Sequence, residues 1–342
     1  MLKFETLQIN LLCDENAGML TLPKVALESL ADEPVDGATY ILGLQVSLQH
    51  GSTDYIHRMV ACDLATNEWR FLPKTMPLSI AEIAMLRDAR MAAMHDGRII
   101  VCTYRNDMYP AGTIIFDPLS ADSTTDAYEI NSDPEQAAIA CRNHSSLVTL
   151  HDGRILRVGG FVPRGGKPNT GIYDPATKKW AVVNKDQMTA QAFCVVLRDG
   201  RVLVTGGRTA KVFAYNGCVL YDVVKNVYTP TGSMKHSRTQ HGGCLLQSGN
   251  VYICGGFTSW GSKIDESEEY DVATGRWMNN VKMDMTVTRD VHLTLSGDGR
   301  IIVNNSNHSR NGLLFNPLTN KVDATIDRSL IVELDCLFVD VN

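Results

Sequence analysis

No stretch of the chain approaches the roughly 20 consecutive apolar residues that a membrane-spanning helix needs. The opening Met1-Leu2-Lys3-Phe4-Glu5-Thr6 lacks the apolar core of a signal peptide. The 9 cysteines are odd in number, widely scattered and never in C-x-x-C spacing, which excludes a disulfide framework and a zinc knuckle and leaves them as buried apolar fillers. With no leader and no span, the expectation is an intracellular, cytoplasmic protein, in which the Asn-x-Ser/Thr matches at Asn143, Asn304 and Asn307 are not glycosylated. H-E-x-x-H is absent. The nearest string to a phosphate loop, 159–168, has Phe161 where a glycine is needed and Pro168 where a Ser or Thr would meet magnesium. The expectation is therefore no cofactor and no metal. A net charge of −6 argues against general nucleic-acid binding.

What the chain does have is repetition. Its clearest unit is Leu150-His151-Asp152-Gly153-Arg154-Ile155-Leu156-Arg157-Val158-Gly159-Gly160: an Asp-Gly turn, a short apolar strand and a diglycine at which backbones can approach closely. The first hairpin recurs at Asp96-Gly97-Arg98, Asp199-Gly200-Arg201, Ser248-Gly249-Asn250 and Asp298-Gly299-Arg300. A second turn follows each strand and is anchored at Asp14, Asp63, Asp117, Asp174, Asp222, Asp271 and Asn316, at intervals of 49, 54, 57, 48, 49 and 45. Six residues past the anchor stand Trp69, Trp180, Tyr228 and Trp277 in four of the copies. The first hairpin and the strands on either side of the anchored turn make four strands per unit.

A period near fifty built from a diglycine, an aromatic-Asp turn and a tryptophan resembles the Kelch repeat, and Leu197-Arg198-Asp199-Gly200-Arg201-Val202-Leu203-Val204-Thr205-Gly206-Gly207 is also similar to the propeller of galactose oxidase. The resemblance implies an all-β fold, a seven-bladed β-propeller of four-stranded antiparallel blades forming one domain over 1–342, with six blades as the alternative count. Cys336 falls where a turn glycine belongs, so inner strands near 328–342 and outer strands near 3–23 are expected to complete one blade and close the ring. Segment 120–140, polar and acidic, reads as a long excursion between blades. Segment 79–94, rich in Ala, Met, Leu and Ile, has a helical composition, but the repeat demands a connector and an inner strand there.

The candidate site lies where inner strands begin and where the loops after the diglycines emerge, since both fall at the same end of a blade. Arg142-Asn143-His144, Arg238-Thr239-Gln240-His241 and Arg289-Asp290-Val291-His292 repeat an arginine followed closely by a histidine. These side chains either bond the backbones of neighbouring blades or bind an anion. Around them the loops hold Arg105, Arg142, Arg164, Lys167, Arg208, Lys211, Arg238, Lys263, Arg289 and Arg310 against Asp107, Asp265, Glu266 and Asp290. A basic face on an acidic chain points to an acidic partner. Tyr104, Tyr109, Phe161, Phe257 and Trp260 add aromatics of the kind that anchor interfaces.

Two functions compete. The first is a non-catalytic scaffold that binds an acidic peptide or protein segment on this face through Arg142, His144, Arg238, His241, Arg289, His292, Arg105, Tyr104, Arg164, Arg208, Trp260 and Arg310. The second is an enzyme acting on an acidic sugar, as the resemblance to Kelch-like sialic-acid mutarotases implies, with a copper radical oxidase as a weaker third. The pattern leaves oligomeric state open.

Overall fold

The computed structural model describes residues 7–11, 19–22, 40–48, 55–63, 68–78, 90–96, 98–103, 112–116, 128–141, 144–161, 169–184, 189–209, 211–283, 291–296, 298–305, 311–327 and 336–341. They form β1 (Leu7–Leu11), β2 (Met19–Leu22), β3 (Tyr40–Leu48), β4 (Tyr55–Asp63), β5 (Glu68–Leu78), β6 (Arg90–Ala93), β7 (Ile99–Thr103), β8 (Gly112–Phe116) and β9 (Tyr128–Asn131). After the short helix α1 (Pro134–Ala140) come β10 (Ser146–Thr149), β11 (Ile155–Val158), β12 (Thr170–Asp174), β13 (Lys179–Asn184), β14 (Phe193–Val196), β15 (Val202–Thr205), β16 (Cys218–Asp222) and β17 (Val227–Thr231). The order ends with β18 (Gly242–Leu245), β19 (Val251–Cys254), β20 (Glu266–Asp271), β21 (Arg276–Lys282), β22 (Val291–Leu295), β23 (Ile301–Asn305), β24 (Asn311–Asn316), β25 (Lys321–Asp327) and β26 (Cys336–Val341). Among the described residues the fold is all-β with one short helix, and β6–β9, β10–β13, β14–β17, β18–β21 and β22–β25 are each a four-stranded sheet in chain order.

Both turns of the repeat have a local cause. In the inner hairpin, Asp152, Asp199 and Asp298 accept the backbone N–H of the residue two on, while Gly153, Gly200 and Gly299 take φ of 85°, 84° and 87°. In the outer hairpin, the Oδ1 atoms of Asp222, Asp271 and Asn316 each accept two successive backbone N–H groups. Four residues past the anchors, Lys178, Asn226, Gly275 and Asn320 are all left-handed. An Asx turn followed by one left-handed residue twists the strands as an antiparallel sheet requires. The diglycines are fixed by crowding as well as by φ: a Cβ on Gly206 would stand 2.5 Å from the Arg238 carbonyl oxygen, and one on Gly207 2.6 Å from that of Ala190.

Two compact units are distinguished, 1–142 with 175–180 and 326–342, and 143–174 with 181–325. In the second, apolar faces of consecutive sheets pack in sequence order: Leu156, Val158 and Ile172 with Val202 and Val204, then Leu203 and Cys218 with Val251, Ile253 and Tyr270, then Cys244 and Tyr252 with Leu293, Val303 and Phe315. Cys102, Cys141, Cys194, Cys218, Cys244 and Cys254 are buried free thiols, and burial pushes Cys194 and Cys218 up to about 12.

In the first unit, β26 pairs with β1 from Leu7↔Val341 to Leu11↔Leu337, and β1 pairs with β2. On its other side β26 pairs with β3, so these strands belong to one six-stranded sheet, β2-β1-β26-β3-β4-β5, rather than to separate four-stranded blades. The inner strand expected within 328–335 lies outside the described residues. The expected excursion at 120–140 is partly regular: β9 is the fourth strand of its sheet, and α1 follows, with Asp133 as N-cap accepting the N–H of Glu135. A polar, acidic stretch reads as loop by composition, yet Asp before Pro-Glu is a helix-starting signal. β6 supplies the inner strand that the repeat demanded at the end of 79–94, while 79–89 lie outside the described residues.

Candidate interaction surface

In the second unit, successive inner strands are joined just before they begin. Gln191 N–H donates to the His144 carbonyl (2.8 Å) and Gln240 N–H to that of Gln191 (3.2 Å). His144, Gln191 and Gln240 are half-buried and left-handed, with φ of 58°, 56° and 56°. Non-glycine residues held in this region are costly and are retained where the surroundings over-determine them. His144 is therefore the counterpart of Gln191 and Gln240, not of His241. The shared word "arginine then histidine" conceals a one-residue offset, two positions in one copy and three in the others.

Arg238 is fully enclosed. Its Nε and Nη2 donate to Glu268 Oε1 (3.2 and 3.0 Å), Nη1 to the Gly255 carbonyl (2.9 Å) and Nη2 also to the Glu266 carbonyl (2.7 Å). Glu268, equally enclosed, accepts the backbone N–H groups of Lys235 and His236 as well. Burial pulls the guanidinium's pKa down and the Glu268 charge opposes that. The guanidinium is thus committed to its own sheet, holding the first glycine of a diglycine. The same carbonyl is held at Gly159 by Arg157 and at Gly206 by Thr189 Oγ1. Thr189, which fills the arginine position of its repeat, went unnoticed in the sequence because it breaks the Arg-His wording.

His241 is buried, with Nε2 2.8 Å from Thr205 Oγ1. Desolvation, aided by the Arg238 charge, lowers its pKa from 6.5 to about 3, so it is neutral near pH 7. The unfolded chain takes up this proton near pH 6.5 and the folded chain only near 3, so acid favours unfolding across that window. Between pH 6.5 and 4.5, above the carboxylate range, this group should remove about 1.4 kcal/mol of stability per pH unit. Urea titrations at several pH values should show that slope and show it flattened in His241→Asn; an equal slope in the variant excludes His241 as its source.

The loops after the diglycines present exposed aromatics, while Val224, Val227, Val281 and Leu318 are exposed elsewhere. Trp260 is 93% exposed, and Val212, Phe213 and Tyr215 are 38, 43 and 45% exposed. Both loops are braced by a threonine. Thr258 Oγ1 accepts the N–H groups of Trp260 and Ser262, and Thr209 Oγ1 those of Lys211 and Val212. Ser259 Oγ donates to the Ala214 carbonyl (3.1 Å) and ties one loop to the other. Arg208 packs against the rings of Phe161 and Phe213, with its guanidinium carbon 5.2 and 4.8 Å from their centroids. Phe161 also meets His144 edge to face. Nearby acids are already matched, Glu266 with Lys235 and His236, and Asp265 with Lys282.

Of the expected site residues, the structure brings Arg208, His144 and Trp260 to these linked loops and encloses Arg238 and His241. His292 lies on β22. Arg142, Arg289, Arg105, Tyr104, Arg164 and Arg310 lie outside the described residues. Phe213 and Tyr215 belong to the surface and were not singled out by sequence. Their signal was an Arg-x-x-Lys-Val-Phe-x-Tyr loop without an acidic residue. Among the described residues, no group of His, Cys, Asp and Glu could hold a metal ion.

Comparison with known proteins fits this repeat geometry. The chain is 27% identical over 164 residues to Kelch-like protein 26 of Danio rerio, covering 46% of this chain and 26% of that protein. It is 23% identical over 216 residues to Kelch-like protein 41a of Danio rerio, covering 58% and 35%. Over 129 residues it is 31% identical to Kelch-like protein 24 of Homo sapiens, covering 37% and 20%. The chain carries Kelch repeats. The matched stretches span about a quarter to a third of the length of the first two of these Kelch-like relatives. No family model matches the chain. The Kelch unit accounts for the diglycine, the Asx-turned outer hairpin and the aromatic six residues beyond it. Among the described residues, no helix is long and apolar enough to cross a membrane.

Proposed function

We propose that this Kelch-repeat chain is a non-catalytic protein-interaction module, a seven-bladed ring that captures an acidic peptide or protein segment on the loops following its diglycines. The β26–β1 pairing supports closure of the ring through the two ends of the chain. The observation that carries the binding reading is the make-up of three loops: 159–169, 206–217 and 255–264 hold Arg164, Lys167, Arg208, Lys211 and Lys263 and no Asp or Glu. Loops 206–217 and 255–264 also carry the exposed aromatics Phe213, Tyr215 and Trp260, on or beside braced turns. An exposed tryptophan gains nothing from folding, and aromatic anchors amid unmatched charge of one sign are features of a docking surface. Arg164 belongs to this set, and Arg142, Arg289, Arg105, Tyr104 and Arg310 are assigned to the same end of their blades. Ligand capture falls to the loop cations rather than to Arg238, which is enclosed and whose three guanidinium nitrogens each donate within the protein.

Fluorescence anisotropy with a labelled peptide of alternating Glu and Leu, beside its Lys-Leu counterpart, tests the reading. The acidic peptide should bind and the basic one should not. Lys211→Glu with Lys263→Glu should reverse the preference, and raising salt from 50 to 300 mM should weaken the acidic complex about tenfold. Equal binding of both peptides, or of neither, refutes the function.

A further inference from the structure

We infer that Arg208 is a preformed carboxylate receptor, and that the partner segment carries an acidic side chain beside a bulky apolar one. This rests on the interaction reading above and adds to it the residue that reads the acid and the chemistry of the segment.

Six of the described arginines follow one of two courses. Arg98, Arg154, Arg201 and Arg300 each pair with the Asp two residues earlier in their hairpin turn. Arg157 and Arg238, both enclosed, donate to the carbonyls of Gly159 and Gly255. Arg208 follows neither course. It is half-buried, its Nε has no hydrogen-bond partner, and its guanidinium makes no hydrogen bond or ion pair to any described residue. What it has is two aromatic rings packed against it, Phe161 at 5.2 Å and Phe213 at 4.8 Å.

Two rings packed against a guanidinium restrict it, and because Nε is buried, the Nη1/Nη2 edge is the side left for a ligand's hydrogen bonds. Such an edge offers two parallel N–H donors, which match the two oxygens of a carboxylate. A lysine in the same place would supply charge without the fork. Packing against two rings also means that little side-chain freedom is lost when the acid arrives.

The apolar half of the segment follows from what surrounds the fork. Phe213 is both a wall of the clamp and 43% exposed, Val212 and Tyr215 flank it, and Trp260 is fastened nearby through the Ser259–Ala214 hydrogen bond. A segment that places a carboxylate on Arg208 must lay its neighbouring residues across these rings. No acid within 206–217 or 255–264 competes for the fork.

Two labelled peptides with a Glu-Ser-Leu-Phe or a Gln-Ser-Leu-Phe core, otherwise uncharged, test this. Wild type should prefer the Glu peptide by roughly tenfold to a hundredfold, the range of one charge-assisted pair. Arg208→Gln should abolish the preference, bringing the Glu peptide's binding down to about that of the Gln peptide. Arg208→Lys should lose most of the preference too, and Trp260→Ala should weaken both peptides equally. If Arg208→Gln keeps the wild-type preference, Arg208 is not the receptor, although the surface still binds acidic segments. If Arg208→Lys keeps it, charge suffices and the clamped fork is refuted. A phosphoserine core bound more tightly than the Glu core overturns the carboxylate assignment. If wild type binds neither peptide nor the Glu-Leu probe, the interaction reading fails as a whole.

Discussion

Arg238→Ala is expected to destabilise the protein by about 3–5 kcal/mol, because it leaves the Glu268 carboxylate enclosed without its cation. Three further acceptor sites lose their donor at once: the carbonyls of Gly255 and Glu266 and one Glu268 oxygen. Glu268→Ala should cost a similar amount, since the buried guanidinium then lacks its counter-charge and the N–H groups of Lys235 and His236 lose their acceptor. The double variant Arg238→Met/Glu268→Leu should recover much of the loss, as replacing a buried pair by apolar groups of like volume removes both desolvation penalties. Urea unfolding of the four proteins measures both losses and the recovery. A change within about 0.5 kcal/mol for Arg238→Ala, the size of an ordinary surface substitution, shows that the pair is not desolvated.

The repeat was legible because its signals are local. An Asp or Asn that accepts two following N–H groups, a left-handed residue four positions on and a glycine at positive φ act within five residues of chain, so their spacing survives in the sequence. The fate of Arg238 was not legible in that way. Its partner is one acid among Asp265, Glu266, Glu268 and Glu269; simple alternation would put Glu266 and Glu268 on one face, but the register shifts between Ser267 and Glu269, where Ser267 and Glu268 are both buried. Glu268 is enclosed, while Glu266 takes Lys235 and His236 at the surface. Composition counts those carboxylates alike. Grouping His144 with His241 failed for a related reason, because the equivalence lies in backbone conformation and in the hydrogen bonds joining residues 144, 191 and 240. The clamp on Arg208 was also hidden, since Phe161 and Phe213 come from different sheets' loops and no period relates them.

Trp180 and Trp260 should lie at opposite ends of the stability scale although both follow a turn. Trp180 begins the outer strand β13, is 3% exposed, and its Nε1–H donates to Thr113 Oγ1 at 3.0 Å. Its backbone N–H donates to Gln136 Oε1, and the neighbouring Lys178 pairs with Glu129 at 2.6 Å, so the turn is pinned on both sides of the indole. Trp180→Ala removes a large buried side chain and leaves a cavity that pinned backbone cannot close, at a cost of about 3–5 kcal/mol. Trp277, partly buried with Nε1–H on the Gly232 carbonyl at 2.8 Å, should lose less because solvent already reaches part of the ring. Trp260, 93% exposed, should change stability by no more than about 0.5 kcal/mol when replaced by Ala. Urea titrations of the three variants, run beside the peptide anisotropy assay, separate core from contact surface. Trp260→Ala should lose binding and keep stability, and a stability loss there as large as at Trp180 returns Trp260 to the core and removes it from the docking surface.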